Sequence, residues 1–103
     1  MAKTLEQLVN GSSSPVFVDF YADWCAPCRS IAPAVKQLAE EFSGRLTVVK
    51  INVDKQPAAA SRYQVQEGIP ALLLFDKGSL LWRGSGAMSY DALRAEVARS
   101  LGW

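Results

Sequence analysis

Cys25 and Cys28 stand two residues apart in Trp24-Cys25-Ala26-Pro27-Cys28, and the chain has no other cysteine. Thiols this close can crosslink a fold, hold a metal or exchange electrons. As a crosslink the pair closes a loop of only four residues. Chain entropy gives such a loop roughly 2 kcal/mol, against about 3 for a loop of about fifteen, before strain is subtracted. A bond that tight at a helix start is also more easily reduced. A closed zinc site takes four Cys or His ligands, whereas this chain has two cysteines and no histidine, so only a dimer sharing two pairs, or cluster ligation across subunits, could hold a metal. No metal site is expected. Electron exchange fits the local physics best. Cys25 falls where a strand gives way to a helix, so unpaired backbone N–H groups point at its sulfur and favour the thiolate, the reactive form. Cys28 lies one helical turn onward on the same side, placed to attack a mixed disulfide at Cys25. Pro27 lacks an N–H and fixes φ, which restrains the turn without blocking a first helical turn.

The elements that hold the pair are legible as periodicities. Pro15 to Tyr21 is a nearly unbroken apolar, β-branched and aromatic run, the pattern of a strand covered on both faces. Behind the cysteines, Ile31, Val35, Leu38, Ala39 and Phe42 recur at helical spacing and define one face of a helix closed by Ser43-Gly44. Thr4-Leu5-Glu6-Gln7 is a capping box for a short helix stopping at Gly11, and Leu46 to Val53 reads as a second strand. Pro57 suits the first turn of a helix ending near Tyr63. Ala71 to Phe75 and Leu80 to Arg83 flank Asp76-Lys77-Gly78-Ser79 as a hairpin. Ser89 caps a last helix whose Leu93, Val97 and Leu101 share a face before Gly102. Strand–helix–strand implies a parallel pair with a right-handed crossover, and the hairpin adds antiparallel strands. The expected fold is α/β: a mixed central sheet, built from a βαβ unit and a C-terminal ββα unit, with helices on both faces.

At 103 residues the chain has room for a single domain, expected over 1–103. Eleven basic and ten acidic residues leave a net charge of +1 with no long run of either sign, which argues against nucleic acid and anionic membranes as partners. The N-terminal MAKTLEQLVN has no apolar stretch like a signal peptide, and the longest greasy run, Ala71 to Phe75, is too short to cross a bilayer. A soluble, cytoplasmic protein is expected.

The stretch from Phe17 to Cys28, Phe-Val-Asp-Phe-Tyr-Ala-Asp-Trp-Cys-Ala-Pro-Cys, closely resembles the active-site stretch of the thioredoxins. Asp19 six residues before Cys25, Pro33 five after Cys28, Lys50-Ile51-Asn52-Val53-Asp54, Gly68-Ile69-Pro70 and the glycines at 78 and 86 match at that family's separations. The resemblance runs from about Val16 to Leu101 and implies the thioredoxin fold. It also implies a thiol–disulfide oxidoreductase that reduces protein disulfides, with Cys25 attacking and Cys28 resolving. Asp19 would be a buried carboxylate behind the cysteines that moves a proton to and from Cys28, with Lys50 as its ionic neighbour. Trp24, Ala26, Pro27, Ile69, Pro70 and Gly86 would form the substrate surface, with Ile69–Pro70 a cis bond against the cysteines. No bound cofactor is implied. Electrons would come from a separate, NADPH-dependent thioredoxin reductase, and the protein would act as a monomer on disulfide-containing proteins.

The chain departs from the family pattern at Ala26, usually glycine, at Arg29, often lysine, and at Ala71, often threonine. Before Val16 it is too short for the extra N-terminal strand many members carry. Two other readings stand beside the reductase. One is a chaperone or adaptor module that uses the same fold for binding, with redox chemistry secondary; reduction of a generic protein disulfide, compared with the double Cys→Ala variant, separates it. The other is an oxidase or isomerase favouring the reverse exchange. Gly84-Ser85-Gly86 has no lysine-containing phosphate motif after it and reads as a turn.

Overall fold

Thr4 opens the first element as both halves of a capping box: its hydroxyl accepts the Gln7 N–H at 3.1 Å, and its own N–H donates to Gln7 Oε1 at 3.0 Å. In a computed structural model describing residues 4–65 and 68–103, that box starts helix α1, Leu5–Gly11. Strand β1 follows at Val16–Tyr21, then helix α2 at Ala26–Glu41 and strand β2 at Thr47–Asn52. Helix α3 spans Pro57–Arg62, strands β3 and β4 span Ala71–Asp76 and Ser79–Ser85, and helix α4 spans Tyr90–Leu101. The first three residues of the MAKTLEQLVN stretch lie outside the described residues.

The strand order is β2-β1-β3-β4. β1 and β2 run parallel, joined through α2, while β1–β3 and β3–β4 are antiparallel. Alternation along β1 and β3 divides the core into two layers. Val16, Val18, Phe20, Leu73 and Phe75 pack with Leu5 and Val9 of α1 and Ala60 of α3. Phe17, Leu72 and Leu74 pack on the other side with Ile31, Val35 and Leu38 of α2 and Leu93 and Val97 of α4. A buried side chain of this kind contributes roughly 1.5–3 kcal/mol of transfer free energy, so the central strands anchor both layers. The mixed α/β sheet with helices on both sides is therefore as the sequence implies.

The differences are local and have physical reasons. The buried stripe of α2 uses Ala34 where Ala39 was expected; Ala39 is only half-buried because it lies toward the open side of β2. The hairpin turn is tighter than the four residues the sequence suggests. Asp76 pairs with Ser79, leaving Lys77 and Gly78 alone at the tip with φ of 52° and 84°, the left-handed pair that a two-residue turn on twisted strands requires. Between Leu74 and Phe75 the β3–β4 register slips, so Leu74 faces Trp82, Phe75 faces Leu80, and Leu81 is the extra residue of a bulge.

Gly78 is the sharpest steric constraint at this end of the sheet. A Cβ there would meet Asn10 Oδ1 at 2.8 Å in addition to the positive-φ strain. Gly44, at φ +86°, has nothing within 4 Å of its virtual Cβ. Gly44→Ala should therefore cost about 1 kcal/mol for backbone strain alone, and Gly78→Ala about 2 kcal/mol, as read from denaturant midpoints. Equal losses at the two positions would show that the Asn10 contact relaxes freely.

Candidate active site

The end of β1 delivers the chain through Ala22, Asp23 and Trp24 to Cys25, whose N–H donates to the Ala22 carbonyl at 3.2 Å. Cys25 has extended dihedrals (φ −89°, ψ 110°) and is the N-cap of α2, and its Sγ accepts the Cys28 N–H at 3.2 Å. The sulfur thus fills the place that a serine or aspartate oxygen occupies in an ordinary cap. The two cysteines form a disulfide with their Cα atoms 5.2 Å apart. Ala26 and Pro27 make the first helical positions between them, where a missing N–H leaves no helical acceptor wanting.

Both cysteines are only 4 % exposed, so the bond is sunk among Ala22, Tyr21, Val53 and Ile69, not raised on the surface. Its rim is open: Trp24, Ala26 and Pro27 are exposed, Trp24 to 67 %. Opposite this rim, the Ile69 carbonyl oxygen lies 3.7 Å from Cys25 Sγ, and the Ile69–Pro70 bond is cis. Gly86 N–H donates to the Pro70 carbonyl at 3.0 Å, which ties the start of β3 to the end of β4. Ile69 thus reaches the cysteines directly, while Gly86 bonds to the neighbouring Pro70.

Asp19 is the chemically odd residue of the core. It sits mid-β1 on the face that α2 covers, 1 % exposed, and its Oδ1 has no hydrogen-bond partner among the described residues. Burial pushes its carboxyl up from 3.8 to about 6, with the Lys50 charge pulling the other way. Lys50 is Asp19's register partner on β2. It makes no ion pair with Asp19 among the described residues. Its exposed ammonium instead lies 4.8 Å from the centre of the Tyr21 ring. Lys50 therefore acts on Asp19 through space and not by contact. A cavity of about 200 Å³, lined by Tyr21, Cys28, Arg29, Ala32 and Lys50 among others, opens the Cys28 side of the pair toward solvent.

Two supporting contacts were not foreseen from the sequence. Trp24 Nε1 donates to Asp54 Oδ2 at 2.8 Å, which fixes the exposed indole in place. Asp54 is itself held by Asn52, whose Oδ1 accepts the N–H groups of Asp54 and Lys55 at 2.9 and 3.3 Å. An Asn two residues before an Asp at a strand end is the local signal for such a turn. Arg29 Nη1 donates to the Asp23 carbonyl at 2.8 Å, closing the loop before the cysteines from behind. Among the described residues no group of three or more His, Cys, Asp or Glu is gathered, and no helix is long and apolar enough to cross a membrane.

The Thioredoxin family model matches residues 1–99. Thioredoxin 1 of Chlorobaculum tepidum is 60 % identical over 102 residues, covering 99 % of this chain and 100 % of that protein. A thioredoxin of Acidithiobacillus ferridurans is 46 % identical over 82 % of this chain and 77 % of its own length. The M-type chloroplastic thioredoxin of Pisum sativum is 45 % identical over 91 % of this chain, which spans 54 % of that relative.

Asp19 carries a stability signature that can be read apart from any chemistry. Its carboxyl titrates near 6 when folded and near 3.8 in the ordinary case, so the fold binds that proton more tightly. The ionised form is penalised: stability falls as pH rises from about 4 through about 6, and stays low above. At about 1.4 kcal/mol per pH unit, Asp19→Asn should stabilise the oxidised protein by on the order of 2–3 kcal/mol at pH 7 and by nothing near pH 3.5. Urea unfolding of both proteins across that range checks it. A constant difference at every pH would mean that Asp19 is not the group titrating.

Proposed function

The chain belongs to the thioredoxin family and is a disulfide-reducing thiol–disulfide oxidoreductase, and from this premise we propose that Cys25 is the attacking sulfur and Cys28 the resolving one. The observation that carries the assignment is the Cys25 cap: its Sγ already accepts the Cys28 N–H at the start of a 16-residue helix. In the reduced protein that place favours a thiolate, because a negative sulfur is held by the orphan N–H groups and the positive end of α2. Cys28, inside the first turn and at the end of no comparable array, keeps its proton.

Cys25 thiolate attacks one sulfur of a substrate disulfide; that S–S bond breaks, and the departing sulfur leaves as a thiolate that takes a proton. Cys28 then loses its proton toward Asp19 and attacks Cys25 Sγ. The mixed disulfide breaks, the second substrate sulfur leaves and is protonated, and Cys25–Cys28 becomes the disulfide seen here. The substrate gains two electrons and two protons, and the protein loses as many. Asp19 suits the acceptor role because burial holds its carboxyl near 6, within reach of both protonation states at neutral pH. Lys50 moderates that carboxyl through space.

An extended substrate segment would lie over Trp24, Ala26 and Pro27 on one side and Ile69, Pro70 and Gly86 on the other, its backbone pairing near Ile69 as an added strand. The reaction needs no bound cofactor. The dithiol is restored by a partner, which we take to be an NADPH-dependent thioredoxin reductase. The small net charge of +1 fits a monomer acting on disulfide-containing proteins in the cytoplasm, with no nucleic acid or membrane partner. One domain over 1–103 carries the whole activity.

Cys28→Ala should leave the first attack intact and stop the second. Mixed with a protein disulfide substrate under denaturing quench, that variant should accumulate a covalent adduct at Cys25, seen by mass spectrometry, while turnover drops at least about a hundredfold. Normal turnover, or an adduct at Cys28 in the matching Cys25→Ala variant, reverses the roles.

A further inference from the structure

The sheet stops at β2. Thr47 N–H donates to Pro15 O and Val53 N–H to Tyr21 O, both at 2.9 Å, so alternate residues of β2 turn inward to β1. By the period of two, Val48 and Lys50 turn their N–H and C=O groups outward, where no strand meets them among the described residues. Their side chains point into a cleft of about 680 Å³ between β2 and α2. Its floor is apolar (Ala32, Pro33, Val35, Ala39 and Val48), and its only charged lining residues are Arg29, Lys36 and Lys50. None of these three belongs to an ion pair among the described residues. On a chain of net charge +1, that is a concentrated positive site. The cleft adjoins the cavity beside Cys28, and Arg29, Ala32 and Lys50 line both.

We propose that this cleft docks an extended acidic segment of a partner protein, laid along the β2 edge as a fifth strand. The outward groups of Val48 and Lys50 would supply backbone hydrogen bonds, and the three cations would select the charge. The surface lies on the Cys28 side of the disulfide, away from the Trp24–Ile69 rim. A partner could hold it while its disulfide is engaged at Cys25. A lone lysine on an open edge serves to discourage pairing between copies. Three cations around an apolar floor go further and favour a strand of opposite charge.

The test uses the oxidised full chain and a short blocked peptide of alternating Glu and Val that contains no cysteine. Its outcome is thus independent of which sulfur attacks. In amide NMR the peptide should shift Val48 and Lys50 and their neighbours on α2, and the matching Gln/Val peptide should not. Lys36→Glu should weaken binding about three- to tenfold while leaving reduction of a small neutral disulfide unchanged. Val48→Pro removes an outward N–H without touching the β1 ladder and should weaken binding as well. Raising the salt should loosen the complex. The proposal is overturned if the Gln/Val peptide binds equally, if the shifts gather at Trp24 and Ile69, or if Lys36→Glu changes nothing. Shifts at Val48 that follow protein concentration without peptide would also overturn it, since the edge would then be pairing with a second copy.

Discussion

A helix has to begin somewhere, and its first N–H groups need an acceptor. In this protein the acceptor is a sulfur. Cys25 takes the N-cap position of α2, and the Cys28 N–H points at its Sγ. The rest of the molecule can be read as the set of constraints that keep this arrangement in place. β1 must end at Tyr21 so that the chain can turn through Ala22 to Trp24, and the Ala22 carbonyl holds the Cys25 N–H as it does so. Pro27 must sit where a missing N–H is harmless. The Ile69 carbonyl must approach from the start of β3, which the antiparallel β1–β3 pairing holds beside β1. A cap made of sulfur is reversible chemistry built into a structural position.

Asp19 works against the fold that holds this cap. A carboxylate with one oxygen unpartnered in the middle of a central strand opposes folding at neutral pH, and among the described residues no ion pair offsets it. The surrounding strand is otherwise wholly apolar, with Phe17, Val18 and Phe20 fully buried beside it. The fold tolerates this one group because the two packed layers on either side of β1 are extensive. Lys50 supplies long-range attraction while its ammonium rests over Tyr21 and stays in water.

Much of this was legible in the sequence. Helix starts at Thr4, Cys25 and Ser89 and the stop at Gly102 follow from capping chemistry, which is local. The two-sided burial of β1 and β3 follows from their unbroken apolar runs. The cysteine pair and Asp19 were legible as chemistry because a thiol pair and a carboxylate have few inert uses in those settings. What escaped were relations across distant parts of the chain. The Trp24–Asp54 bond spans thirty positions, and a sequence read element by element does not show which exposed side chains meet. The Leu81 bulge depends on register, which the hairpin turn sets and no periodicity of β4 reveals. The burial of both cysteines to the same degree depends on Ile69 and Val53 closing over them from other elements.

If the cap position governs the chemistry, one sulfur of the pair is far more reactive than the other. Alkylation of the reduced protein with iodoacetamide, followed site by site by mass spectrometry between about pH 5 and 9, tests it most directly. Cys25 should react faster than free cysteine between about pH 6 and 8, and Cys28 should lag well behind it. If both sulfurs react at or below the rate of free cysteine, or if Cys28 is modified first, the cap does not set the chemistry.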